Sequence, residues 1–205
     1  MAAGPGAGRE RFFELLESEF FPRLLQEGFV RQGRTFRRIR TPLIHVVECQ
    51  PGSSGEWCYL EMGAHLSFLP QHGGGEFSPT TIDESGCVFR ERLAGDGAIA
   101  GGGWAYGASE QDSFSSVKAL CSAWESAGSH FFEAHQDFPD NYQAMLDKAD
   151  FEQARAIELL TFARVAANLQ RKEQALALAR LGLERAAPAA SSLRAQLRRF
   201  IENEG

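Results

Sequence analysis

The sequence predicts an α+β protein: an antiparallel sheet, helices mainly on one face of that sheet, and a C-terminal helical extension. The clearest indication of the sheet is the stretch from Trp57 to Phe68, whose even-numbered positions are all apolar and whose odd-numbered positions are mostly polar or amphipathic. A two-residue period is typical of a strand that buries one face. Apolar residues at three- and four-residue steps, before residue 28 and again after Ser109, predict the helices.

The first segment with clear periodicity is a predicted helix. Residues 1–9 are mostly Gly and Ala and are expected to be disordered. From Glu10 to Glu27, apolar residues recur with helical spacing. Pro22 lies inside this run and lacks a backbone N–H, so we expect it to kink the helix or split it in two.

The strands are predicted between this helix and residue 93. Strand-like segments occur at residues 29–31, 34–40, 43–50, 57–68 and 87–93. Gly33 is a turn signal that makes the first two a hairpin, and residues 70–80 are rich in Gly and predict a loop. A sheet of about four to six strands follows from these segments. We expect its second face to be less completely covered than the face that packs on helices.

Helical patterns dominate the rest of the chain. Ser109 followed by Asp112 matches a capping box and predicts a helix that begins there. Asp150 is expected to cap a helix over about 151–170, and two more helices follow near 173–186 and 191–203. We therefore divide the chain into a disordered N-terminus, a sheet domain and a helical extension of antiparallel helices. Their bounds are 1–9, 10–150 and 151–205.

Charge is unevenly distributed along the chain, which has a net charge of −6. Residues 1–45 hold eight Arg against five Glu, residues 46–150 hold four basic and sixteen acidic side chains, and residues 151–205 hold nine and six. An acidic protein is a poor general ligand for nucleic acid, so the balance counts against nucleic-acid binding. The segregation would help the end segments dock on the middle of the chain.

Cysteine usage and motif content favour a cytoplasmic protein without a cofactor. The four cysteines form no C-x-x-C pair, and the N-terminal residues lack the apolar stretch of a secretory signal. No apolar run approaches the roughly 20 residues of a membrane span, so we expect no membrane association. The sequence has no zinc-ligand spacing, phosphate-binding loop, dinucleotide fingerprint or nucleophile elbow, and we expect neither a metal nor a cofactor.

Several segments of the first half resemble a bacterial domain-of-unknown-function family, DUF4304, over roughly residues 10–110. The resemblance is carried by FFELLESEFFPRLLQEGF, RQGRTFRRI, HVVECQ, WCYLEMGAHLSFL and ESGCVFRERL, the last with Cys87, Arg90 and Arg92 in a C-x-x-R-x-R core. It implies an α+β sheet-and-helix fold in a bacterial protein. It implies no activity, and the helical tail lies outside it.

Five residues on two predicted strands form the candidate ligand-binding site. Tyr59, Glu61 and His65 share one face of their strand, and Arg90 and Arg92 share one face of another. Glu61 and His65 lie about 13 Å apart along the strand, so a neighbouring strand must bridge them. In one hypothesis the arginines bind an anion and His65 acts as an acid or base. The alternative, which we favour, is an ordinary sheet face with cross-strand Arg–Glu pairs.

A basic run in the predicted hairpin offers a second candidate surface. Residues 29–40 contain five arginines interleaved with Phe29 and Phe36, a combination that can grip phosphates and stack on bases. The alternative is a charged sheet edge that stays soluble and avoids pairing with other edges.

Three functional hypotheses follow. The favoured one is a non-catalytic binding or interaction module that engages a protein partner or a small anionic ligand through the polar sheet face or the acidic middle segment. The second is an enzyme that acts on a small anionic substrate through the Arg and His residues. The third is weak nucleic-acid binding through hairpin 29–40. The helical extension, 151–205, is also a candidate surface for self-association, although the sequence does not predict the oligomeric state.

Overall fold

The computed structural model describes residues 5–205 and divides the chain into two units, with the boundary between Gln136 and Asp137. The first unit contains the sheet and the second is helical. Residues 1–4, part of the segment predicted to be disordered, lie outside the described residues. The first helix begins at Pro5, within that predicted segment.

One interrupted helix precedes the sheet. Helix α1 spans Pro5–Leu15, a π-helical turn spans Leu16–Phe20, and α2 spans Phe21–Gln26. The N–H of Phe21 donates to the carbonyl oxygen of Leu16, five residues back. The wider turn ends two residues before Pro22, which has no N–H to donate, so the helix is interrupted near the residue that the sequence indicates.

The sheet is antiparallel throughout. Its strands are β1 Val30–Gln32, β2 Thr35–Arg40, β3 Leu43–Pro51, β4 Trp57–Leu66, β5 Phe89–Arg92 and β6 Gly103–Ala105. Their order is β1-β2-β3-β4-β5, and β6 pairs with the beginning of β4, ahead of the part of β4 that pairs with β5. Six strands with helices confirm the predicted α+β class.

One face of this sheet forms the main core with helices. The even-numbered residues of β4, among them Leu60, Met62 and Leu66, are fully buried as their alternation predicts. Helices α3, Glu110–Ala123, and α4, Ser129–Ala134, follow β6 and are separated by a π-helical turn, Trp124–Gly128. The predicted capping box opens α3: Ser109 and Asp112 exchange side-chain to backbone hydrogen bonds.

The second face is covered as well, which differs from the expectation of a less covered face. The covering segment, residues 69–88, lies over it and contains the 3₁₀ turn Glu84–Gly86. Ile82 and Cys87 of this segment form a small second core with Ile44 and Val46 of β3. Since β3 is apolar on both faces and lies in the middle of the sheet, both of its sides need a cover.

The second unit consists of helices. They are α5 Asp140–Lys148, α6 Ala156–Asn168, α7 Lys172–Arg185 and α8 Ser191–Glu204. Asp150 caps only a 3₁₀ turn, Phe151–Gln153, because its side chain accepts from the N–H of Glu152. Helix α6 starts five residues later than predicted. At its start the side chain of Glu158 accepts a hydrogen bond from the N–H of Arg155. Gly182 allows helices α6 and α8 to approach α7 closely, since a Cβ at this position would lie 3.0 Å from Leu197 of α8 and 3.3 Å from Leu159 of α6.

Candidate functional site

Three of the five predicted site residues come together around one buried carboxylate. Arg92 on β5 lies opposite Glu61 on β4, and its Nε donates to Oε1 of Glu61 across 2.7 Å. The guanidinium carbon of Arg92 lies 3.9 Å from the ring centroid of Tyr59, and Nη1 donates to the carbonyl oxygen of Gly101. The Glu61 side chain is only 8% exposed. Arg92 therefore neutralises a buried carboxylate, and its donors are engaged by Glu61 and Gly101 although its side chain is 42% exposed.

Arg90, the fourth predicted site residue, lies beside a second carboxylate. It pairs in register with Gly63, and its Nε is 3.8 Å from Oε1 of Glu84, which is buried. Burial raises the pKa of the Glu84 carboxyl, and the charge of Glu61 raises it further. Glu48, opposite Glu61 on β3, adds a third carboxylate. Arg92 thus pairs with a glutamate across two strands, whereas the carboxylate beside Arg90 comes from the covering segment.

His65, the fifth predicted site residue, is fully buried. Its Nε2 lies 3.1 Å from the carbonyl oxygen of Leu69, which can only accept, so Nε2 carries the proton and Nδ1 presents a lone pair. Nδ1 has no hydrogen-bond partner. Phe77 packs edge-on against the ring with centroids 4.6 Å apart, and burial lowers the pKa of His65 to about 4. The ring is therefore neutral at pH 7 and enclosed, while Arg90 and Arg92 engage carboxylates instead.

The covering segment is fixed to the sheet by a buried arginine. Arg37 on β2 is 8% exposed and donates from Nε to the carbonyl oxygen of Ile82 and from Nη2 to that of Thr81. A second close contact involves Gly63, where a Cβ would lie only 2.7 Å from Sγ of Cys87. The segment is thus held by side-chain hydrogen bonds and by close packing on a glycine.

An open depression of about 390 Å³ lies on the covering segment. It is lined by Gln71, Glu76, Phe77, Ser78, Thr81, Ile82 and Asp83. The lining carries two carboxylates and no Lys or Arg. Sequence reasoning missed these residues because four of them fall in the predicted loop 70–80, and the other three follow it in a stretch without a predicted element. The available signal was indirect: the consecutive apolar residues of strand 43–50 indicate that both faces of the sheet need a cover.

The arginines of hairpin 29–40 are largely engaged within the protein. Arg31 pairs with Glu17 and lies over the ring of Phe21, 4.6 Å from its centroid. Arg34 lies over the ring of Phe13 at 4.3 Å. The two interleaved aromatic rings also contact arginines of their own chain: Arg31 lies 5.6 Å from the ring centroid of Phe36, and Arg38 lies 4.6 Å from that of Phe29.

A buried histidine network that sequence reasoning did not single out joins β2, β3 and the end of α4. Nη2 of Arg38 lies 2.9 Å from Nδ1 of His45, so Nδ1 accepts and Nε2 donates to the carbonyl oxygen of His135 across 3.0 Å. Arg38 also lies over Phe29, 4.6 Å from its centroid. Burial lowers the pKa of His45 and of His135 to about 4. Both imidazole rings are therefore neutral at pH 7, while Arg38 keeps its charge, and the network joins the sheet to a helix.

The cysteines and the other side chains of metal-ligand type are dispersed in the described part of the chain. All four cysteines are free and buried, and burial raises the pKa of Cys58 to about 12. Within residues 5–205, no three His, Cys, Asp or Glu side chains are grouped to hold a metal ion. No helix among these residues is both long and apolar enough to cross a membrane.

Most of the first unit matches a known sequence family. A family model described as a domain of unknown function, DUF4304, matches residues 20–134. The chain belongs to the DUF4304 family. The DUF4304 match confirms the resemblance from residue 20 onward and leaves residues 10–19 outside. It extends the resemblance past residue 110 through α3 and α4 and ends two residues before the boundary at Gln136. No curated protein and no solved structure matches the chain.

Proposed function

We propose that this protein is a non-catalytic binding module that recognises a protein partner through the covering segment, residues 69–88. The observation that carries the proposal is the open depression on that segment. Small-molecule sites are mostly apolar and enclose most of the ligand surface. This depression is mostly polar and open to solvent, which favours a side chain or loop of another protein as its occupant.

The anchoring of the segment supports a binding role. Association costs less conformational entropy when a binding surface is already ordered. Arg37 holds the carbonyl groups of Thr81 and Ile82, and Asp83 accepts a hydrogen bond from the N–H of Gly86 across 3.0 Å. The floor of the depression is therefore attached to the sheet. Three consecutive glycines at 73–75, all with positive φ, adjoin it and place no side chains in the way of a partner.

The surroundings of the reactive side chains favour a non-catalytic role over an enzyme acting through Arg90, Arg92 and His65. An acid–base group needs access to its substrate and a pKa near the working pH. His65 is enclosed, with a pKa of about 4, and Arg92 is engaged by Glu61. The buried thiols are protonated at neutral pH because burial raises their pKa values, as at Cys58 and Cys121.

Charge and cysteines support the remaining parts of the proposal. The sixteen acidic side chains of residues 46–150 favour a protein partner over nucleic acid, whose phosphates need Lys and Arg. The proposal places the protein in the reducing cytoplasm, where four free thiols persist without forming disulfides.

Selection from a phage-displayed peptide library tests the proposal. The full chain serves as target beside two matched variants: Ser78→Phe, which fills the depression, and Ser122→Phe, which places the same ring at an exposed position of α3. Circular dichroism checks that both variants fold. We expect peptides that bind the wild type and Ser122→Phe but not Ser78→Phe. The proposal is overturned if no peptide is enriched, or if every enriched peptide also binds Ser78→Phe.

A further inference from the structure

The depression presents negative charge and hydrogen-bond acceptors to any occupant. Glu76 and Asp83 contribute carboxylates. The side-chain amide nitrogen of Gln71 already donates to the carbonyl oxygen of Gly74 across 3.2 Å, which leaves its Oε1 as the acceptor. Because the lining contains no Lys or Arg, a matching ligand has to supply positive charge and hydrogen-bond donors.

A further acceptor lies on the His65 ring, against which Phe77 packs. Nδ1 of His65 presents a buried lone pair without a partner, and Phe77 contacts both the depression and the His65 ring. Buried polar atoms without partners are uncommon in folded proteins, because each one carries the cost of a hydrogen bond lost to water and not replaced. A donor that entered behind Phe77 would remove this cost. The acceptors at the surface and in the interior thus call for the same ligand chemistry.

Building on the proposed function, we propose that the depression binds an arginine side chain of the partner protein. Its guanidinium pairs with the carboxylates of Glu76 and Asp83. Phe77 moves from the His65 ring onto the plane of the guanidinium, and one N–H donates to Nδ1 of His65. Arginine fits better than lysine because its planar group offers five donors and stacks on aromatic rings, whereas an ammonium is a compact charge.

Titration of the ¹⁵N-labelled full chain with N-acetylarginine amide tests this inference. The matched control ligand is N-acetylcitrulline amide, which has nearly the same shape but no charge. We expect amide shifts confined to residues 71–83 with the arginine compound only, together with a shift of the His65 Nδ1 resonance as this nitrogen accepts a hydrogen bond. Equal effects of both ligands, shifts centred elsewhere, or an unchanged Nδ1 resonance at saturation would contradict the inference.

Two charge-matched variants separate a specific contact from general attraction to an acidic protein. Glu76→Gln and Glu56→Gln each remove one exposed negative charge, but only Glu76 lines the depression. We expect Glu76→Gln to raise the Kd for N-acetylarginine amide by about two- to fivefold, as for a solvent-exposed ion pair. Glu56→Gln should leave the Kd unchanged, and equal weakening by both variants overturns the inference.

The inference and the proposed function fail in different ways. Phage-selected peptides that depend on the depression but contain no arginine overturn the inference and leave the binding function intact. If no peptide depends on the depression, both are overturned.

Discussion

The guanidinium of Arg37 and the carbonyl oxygen of Ile82 are joined by a hydrogen bond of 2.5 Å, although 45 residues separate them in the chain. Both residues are buried, and Arg37 also donates to the carbonyl oxygen of Thr81. A buried carbonyl that loses its donor cannot turn to water without moving the backbone. The Arg37 side chain of β2 thereby determines where the covering segment lies on the sheet.

Replacing Arg37 should therefore loosen the covering segment more than the rest of the protein. In Arg37→Met the carbonyl oxygens of Thr81 and Ile82 lose their donors, and we expect the free energy of unfolding to fall by about 1–3 kcal/mol. Amide hydrogen exchange should accelerate between residues 71 and 86, while the amides of α3 remain protected.

Arg40→Met is the matched control, since Arg40 is exposed on the same strand. It should change stability by less than about 0.5 kcal/mol, as most surface substitutions do. If Arg37→Met leaves exchange in the covering segment unchanged, the anchoring role assigned to Arg37 is wrong.

Removing Arg92 should destabilise the protein through the carboxylate that it leaves behind. Arg92→Ala removes the donors of the buried Glu61, and we expect a loss of about 1–3 kcal/mol in urea denaturation. Adding Glu61→Gln to Arg92→Ala should recover part of this loss, because the unpaired buried charge disappears. A double variant less stable than Arg92→Ala would contradict this explanation.

Gly63 should not tolerate a methyl group. In Gly63→Ala the new Cβ would lie 2.7 Å from Sγ and 2.9 Å from Cβ of Cys87, and we expect a loss of about 1–3 kcal/mol from overpacking. Cys87→Gly removes both atoms, so a double-mutant cycle of the two changes should show a favourable coupling in thermal unfolding. If the changes in stability caused by Gly63→Ala and Cys87→Gly are strictly additive, the contact between residues 63 and 87 does not limit the packing.

Stability should decrease when the pH falls below about 6.5. His45, His65 and His135 have pKa values of about 4 in the folded protein and titrate near 6.5 once exposed. Between these values the unfolded state binds more protons than the folded state, so the free energy of unfolding falls as the pH is lowered.

The measurement is urea denaturation at several pH values between 7 and 4. Each buried histidine contributes at most about 1.4 kcal/mol per pH unit to the slope. His65→Gln should therefore show a shallower slope than the wild type, independent of its stability at pH 7. The same slope in both proteins would mean that His65 is not held in its neutral form.

The sequence predicted one side of the sheet better than the other, for a physical reason. A two-residue period records which side chains face a core, so the alternation around Leu60 and Met62 predicted the helix-covered face, and both residues are fully buried. The other face carries Glu61 and His65, and polar residues at such positions indicate solvent unless a partner is known. Their cover is a segment without periodicity, and only the tertiary structure places it there.

The candidate site could be predicted only to the level of shared faces. Alternation correctly placed Arg90 and Arg92 on one face, because successive side chains of a strand point to opposite sides. Their partners depend on strand order and register, which place Glu61 directly opposite Arg92. The depression depends on how residues 71–83 fold back on themselves, and no short pattern in the sequence records that.

Locating a bound peptide on the protein tests the central claim most directly. A phage-selected peptide is added to the ¹⁵N-labelled full chain, and amide shifts are mapped with the wild type and with Ser78→Phe. We predict that the largest shifts fall within residues 71–83 of the wild type and vanish in Ser78→Phe. Shifts centred on hairpin 29–40 or on α3, or shifts that persist in Ser78→Phe, would contradict the claim that the covering segment is the binding surface.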